Sequence, residues 1–219
     1  MHSTGKKQDK SDIKRRVILR AALKIFGGKG YHYASLSQIA AEAGVSRGLI
    51  HFYFESKLDL IVSLMLLFFE KLNSTHQQVL TRENDPLKKL RLYFAAFHDI
   101  ILKDDDTLNW ENILKEGLPQ DKIFKSERLK AKYEKITEEN KNLMITIIDI
   151  IKQAQTAGLI DSSISPQLLS LIFGGSNQFL CYGLFLQRTR NRVMDPKADS
   201  INESAIKKAM ETLINKFIL

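Results

Sequence analysis

The stretch that decides the fold runs from Ser35 to Tyr53, SLSQIAAEAGVSRGLIHFY. Ser35 followed by Gln38 is the pattern of a capping box, in which each side chain satisfies a backbone N–H left open at the start of a helix. Ala40 is small where two helices must cross closely. Four residues later, Gly44 can take the left-handed conformation that a sharp turn demands. Val45 follows as an apolar plug, Ser46 can cap a second helix, and Ile39 and Ile50 are spaced to meet in the core between the two. A small residue, a glycine four positions on and an aliphatic six further, bracketed by two caps, meets the physical requirements of a helix-turn-helix. An ordinary helical hairpin is the alternative.

Charge supports a nucleic-acid partner for this end. Residues 1–57 hold eleven Lys and Arg against four Asp and Glu, whereas the rest of the 219-residue chain holds 22 against 21. A basic first quarter beside a nearly neutral remainder is the pattern of an end that meets a polyanion. A solvated basic tail would give the same balance, and Lys6, Lys7 and Lys10 suggest a flexible basic arm over residues 1–10. Hydrophobic residues at 44% and charged residues at 26% are ordinary for a globular chain with a substantial core. The single cysteine, Cys181, excludes an internal disulfide or a zinc site built on paired thiolates, and fits a reducing cytoplasm. The N-terminus carries no apolar leader. The longest apolar-rich stretch, Leu168 to Leu186, is interrupted by Gly174, Gly175, Ser176, Asn177, Gln178 and Gly183, which speaks against a membrane span.

Helical periodicity extends in both directions from the opening stretch. Positions 58, 61, 62, 65, 68, 69 and 72 are apolar, as are 87, 90, 94, 97 and 101, then 143, 147, 150, 151 and 154, and finally Ile201, Ala205, Ile206, Met210, Leu213, Ile214 and Phe217. Each of the four prolines stands near a break in this pattern. Sustained strand alternation is missing, so the expectation is an all-α fold. It comprises an N-terminal three-helix helix-turn-helix DNA-binding domain at 11–57 and a larger helical bundle at 58–219, the part to which a family resemblance assigns ligand binding and dimerisation. No flexible linker separates Lys57 from Leu58.

The segment GKGYHYASLSQIAAEAGVSRGLIHFYFESKLDLI, Gly28 to Ile61, together with an amphipathic helix from Ile13 to Phe26 and a glycine stop at Gly27, Gly28 and Gly30, resembles the N-terminal domain of the tetracycline-repressor (TetR) family of transcriptional regulators. The resemblance is close over roughly the first 65 residues. It implies a homodimer, a palindromic operator in double-stranded DNA, and a C-terminal domain that senses a small molecule. Carried over position by position, it puts Arg47 against a phosphate or a guanine edge and Lys57 against a phosphate at a helix N-terminus. Ser35 and Ser46 would donate to phosphates while capping, and Tyr53 would bond the DNA backbone. Ser37, Gly48 and Phe52 complete the contacting set. Two positions depart from the family pattern: Leu49 replaces a common threonine, favouring an apolar contact such as a thymine methyl, and His51 stands where tyrosine is frequent.

Other chemistry loses to plainer readings. His32, His76 and His98 lack metal-ligand spacing, Asp104, Asp105 and Asp106 lack the glycine and glutamate of a calcium loop, and the glycines at 27, 28 and 30 precede no lysine-serine phosphate loop. No catalytic constellation, metal site or cofactor motif is visible. Phe68, Phe94, Phe97, His98, Trp110, Phe124 and Tyr133 are candidates to line a pocket for an apolar or aromatic effector, against the alternative that they are core. For a dimer contact the candidates are Leu168, Leu171, Ile172, Gly175, Phe179 and Tyr182, with Ile206, Met210, Leu213 and Phe217 on the last helix. A carrier or helical enzyme whose N-terminal module pairs only with protein, and a non-specific DNA-packaging protein, are the competing functions. Salt dependence and sequence preference of DNA binding separate them.

Overall fold

The computed structural model describes residues 4–102, 118–176 and 203–218. In chain order the helices are α1 (Thr4–Tyr33), α2 (Leu36–Ala43), α3 (Arg47–Tyr53), α4 (Lys57–Leu80), α5 (Pro86–Leu102), α6 (Gln120–Ile123), α7 (Glu127–Thr156), α8 (residues 166–176) and α9 (Glu203–Asn215). The all-α fold expected from the sequence is the fold observed. Among the described residues the one extended pairing is an isolated antiparallel bridge between Ile160 and Ile218.

Local chemistry sets where these helices begin and end. Pro86 and Pro166 open α5 and α8 at the first helical position, where a missing N–H costs nothing. The residue before each proline caps its helix: the Asp85 carboxylate accepts from Lys88 N at 2.8 Å, and the Ser165 hydroxyl accepts from Leu168 N at 3.2 Å. Gly158 closes α7 at φ 67°, while Leu159 N donates to Ala154 O at 2.9 Å. Gly30 interrupts α1 with φ 78° and ψ 159°, which places the break at the end of the expected glycine stop. At its other end α1 opens at Thr4, so the segment expected as a flexible arm is helical from that residue.

The chain forms two compact units, and they differ from the expected division at 57/58. One is Met1–Phe68 with Asp106–Thr137; the other is Phe69–Asp105 with Glu138–Leu219. The first therefore takes in the opening turns of α4 and α7 as well as the helix-turn-helix. Periodicity could not reveal this, because α4 and α7 keep one apolar rhythm through the change of neighbours.

The second unit is organised around Leu90, Tyr93, Phe94, Ile147, Ile150, Ile151, Ala154, Ile160, Leu169, Phe173, Met210 and Ile214, all buried. Phe173 meets Phe94 and Phe217 edge to face, at centroid distances of 6.1 and 5.5 Å. Burying each such side chain stabilises the unit by about 1.5–3 kcal/mol.

Candidate nucleic-acid interface

The helix-turn-helix is built as its sequence directs. The Ser35 hydroxyl accepts from Gln38 N at 3.2 Å, and the Gln38 side-chain oxygen accepts from Ser35 N at 3.1 Å, completing the capping box. Gly44 ends α2 at φ 63°, ψ 34°, and a Cβ added there would meet nothing within 4 Å, so its role is conformational rather than steric. The Ser46 hydroxyl accepts from Leu49 N at 3.2 Å and starts α3. Ile39 and Ile50 are fully buried and Ala40 nearly so, while Val45 is half-buried, a looser plug than expected.

With Ile50 fixing its inner face, the seven-residue α3 turns Arg47, Gly48, His51 and Phe52 outward. Phe52, 77% exposed, is an aromatic ring offered to solvent at the tip of the helix. Ser35, Ser37 and Ser46 are exposed as well, and Leu49 and Tyr53 are half-buried. The Tyr53 hydroxyl lies 3.3 Å from Ser11 Oγ, which donates to it, and its ring stands edge-on to Phe52 at 5.1 Å. Nine of the ten residues expected at the interface therefore lie on α2, α3 or their caps, with exposed or partly exposed side chains.

Lys57 is the tenth, and its ammonium is engaged within the protein. It donates to His32 O at 3.2 Å and Ala34 O at 2.9 Å and lies 4.6 Å from the centre of the Tyr31 ring. These carbonyls belong to the end of α1 and the turn after it, where a cation is favoured by the helix dipole. Lys57 is thus a brace between α4 and α1, a role hidden in the sequence because its partner His32 lies 25 positions earlier.

A second brace joins the first turns of α4 and α7. Asp59, fully buried between Leu58 and Leu60, is paired with Lys132 and lies 3.3 Å from Arg128 Nη2. It also accepts from Glu55 N at 3.1 Å. Arg128 and Lys132 sit in a charged stretch that reads as a solvated helix face. The available signal was the carboxylate itself, set inside the apolar run Leu58–Val62 where an ion requires partners.

The expected effector residues are distributed over both units. Phe68, Phe124 and Tyr133 fall in the first unit, Phe94, Phe97 and His98 in the second, and Trp110 lies outside the described residues. Phe68 and Phe94 are buried as core, and Phe124 is 51% exposed, paired with Tyr133 at 5.8 Å on the surface. His98 is buried beside the half-buried Phe97.

The expected dimer residues divide as well. Leu168 and Leu171 are exposed, Ile172, Gly175, Leu213 and Phe217 are half-buried, and Phe179 and Tyr182 lie outside the described residues. Ile206 and Met210, at 1% and 3% exposure, are removed from the surface set because the inner face of α9 closes the chain's own core.

Burial isolates one further titratable group. His76 is 1% exposed, stacked on Tyr93 at 4.2 Å, with its ring nitrogens 2.8 Å from Leu72 O and 2.7 Å from Tyr93 O. Desolvation holds its pKa below the ordinary value, and the two carbonyls offset part of that effect. Burial also pushes the Tyr93 hydroxyl up, and it donates to Leu143 O at 3.1 Å. Among the described residues no cluster of His, Cys, Asp or Glu could hold a metal ion, and no helix is long and apolar enough to cross a membrane.

A capped helix-turn-helix with an outward-facing second helix, followed by further helices, defines the class by its architecture: a helix-turn-helix protein. Residues 18–64 match the family model for bacterial regulatory proteins of the tetR family. The chain is 36% identical over 93 residues to the HTH-type transcriptional activator FasR of Mycolicibacterium smegmatis, a match covering 42% of each chain. The matched segments span about a third to two fifths of the curated relatives' own length. The fold is shared with the fatty acid degradation regulator FadR from Bacillus halodurans, at TM-score 0.72 and 19% identity over 92% of this chain and 94% of that one. FadR from Bacillus subtilis, solved with stearoyl-CoA, matches at TM-score 0.68 and 18% identity over 91% and 96%. These named relatives are regulators, not enzymes.

Proposed function

We propose that this protein is a ligand-responsive, sequence-specific DNA-binding transcriptional repressor that acts in the cytoplasm as a homodimer on a palindromic operator. The observation that carries this reading is α3, which is capped at its start, anchored by one buried isoleucine, and exposed at Arg47, Gly48, His51 and Phe52. Two such helices in a dimer would enter successive major grooves about 34–36 Å apart. Arg47 is suited to guanine O6 and N7 or to a phosphate, and His51 to a base or phosphate oxygen. Phe52 and the half-buried Leu49 offer apolar surface to a thymine methyl.

A small apolar or aromatic effector bound in the C-terminal bundle would shift the population away from the DNA-competent state. The continuity of α4 and α7 supports this, since each helix supplies residues to both units. The stearoyl-CoA held by the B. subtilis structure indicates that a bundle of this architecture can accept a ligand with a long apolar chain. Exposed Leu168 and Leu171 on α8 support a dimer contact there.

The test is binding of short duplex DNA at several salt concentrations by the wild type and by Arg47→Ala. The proposal requires a steep salt slope for the wild type and a weaker complex for the variant at equal thermal stability. A flat slope, or equal affinities, would remove it.

A further inference from the structure

This inference rests on the DNA-binding reading of α3 and concerns what holds that helix in place. A helix of seven residues is marginal alone, and its last carbonyls have no partners within it. Here the end of α3 is met from outside. The Arg128 guanidinium, from the first turn of α7, donates through Nη2 to Tyr53 O at 3.3 Å and through Nη1 to Glu55 Oε1 at 3.1 Å. The same Nη2 lies 3.3 Å from the Asp59 carboxylate. That carboxylate is itself fixed: it is fully buried, paired with Lys132, near the Ser63 hydroxyl, and accepts from Glu55 N. Lys132 also donates to Ser63 Oγ at 2.8 Å.

One planar cation thus joins three successive elements: the final residue of α3, the turn that follows, and the first turn of α4. Arginine suits the task because its donors leave in fixed directions within a plane, whereas a lysine ammonium is a single point charge. Its position at the C-terminal end of α3 is also favoured by the helix dipole.

We propose that Arg128, held by Asp59, is a positioning residue for the recognition helix, setting the angle at which α3 is presented while touching no DNA itself. Operator affinity then depends on a residue of α7, some 75 positions away in sequence.

The experiment uses the full chain as wild type, Arg128→Ala and Arg128→Lys, with a duplex enriched by the wild type from a random pool. Affinity is measured across a salt series, and amide exchange is followed over residues 50–56. Arg128→Ala should bind about tenfold more weakly, the effect expected of one lost charge-assisted hydrogen bond. Its salt slope should equal that of the wild type, its exchange over 50–56 should be faster, and Arg128→Lys should recover part of both losses. Unchanged affinity and exchange would overturn the proposal. A slope reduced by about 0.9 with unchanged exchange would also do so, because it would make Arg128 a direct phosphate ligand. If the wild type retains no duplex, the DNA-binding reading fails separately. Exchange alone then decides: faster in Arg128→Ala supports the brace, and unchanged exchange refutes it.

Discussion

Between Ser35 and Lys57, polar residues stand at fixed intervals and each is tied to a cap, a brace or an exposed face. In the second unit, apolar residues at helical spacing bury one another, and the polar exceptions such as His76 are turned inward. The contrast explains why one region discloses its task and the other does not. A surface that reads DNA needs particular groups at particular positions, whereas a core needs only volume and periodicity, which many ligands and many regulators could share.

Substitutions in the two regions should therefore fail differently. The largest expected effect is Phe173→Ala, which removes a fully buried ring and should cost about 3–5 kcal/mol of stability in denaturant unfolding. DNA affinity of the folded fraction should be preserved. Arg47→Ala inverts this pattern: a loss of about 1–3 kcal/mol in operator binding by titration, with no change in melting temperature. Gly44→Ala probes the first unit's backbone. With open space around it but φ at 63°, it should lose about 1–2 kcal/mol in thermal unfolding, a strain cost without a clash.

The smallest effect is a pH dependence confined to the second unit. The folded-state pKa of His76 lies below the ordinary 6.5, so the unfolded chain takes up its proton first. Stability is then fully present above the unfolded value and declines as pH falls through 6.5 toward the lower folded value. A His76→Gln variant, followed by melting temperature between neutral and mildly acidic pH, should lose part of that dependence. An unchanged profile would show that another group is responsible.

What the sequence disclosed follows the range over which each interaction acts. The caps at Ser35 and Ser46, the turn at Gly44 and the contact of Ile39 with the second helix depend on neighbours within about a dozen positions, and local spacing carries them. Lys57 and Arg128 could not be assigned this way. Their partners, the carbonyls of His32 and Ala34 and of Tyr53, are brought near only when α1 and the first turns of α7 pack within the first unit. Ile206 and Met210 show a related ambiguity: an apolar stripe on the last helix serves equally for a dimer contact or for the chain's own core, and folding used these two for the core. The division of the chain was obscured for the same reason, since α4 and α7 continue unbroken from one unit to the other.

The central claim, that exposed α3 reads DNA as one half of a symmetric pair, is tested most directly by selecting bound sequences from a random duplex pool with the purified full-length chain. The account predicts enrichment of an inverted repeat whose half-site centres lie about one helical turn apart, and loss of that enrichment for Arg47→Ala. Recovery of unenriched sequence by the wild type, or of a single unrepeated site, would contradict it.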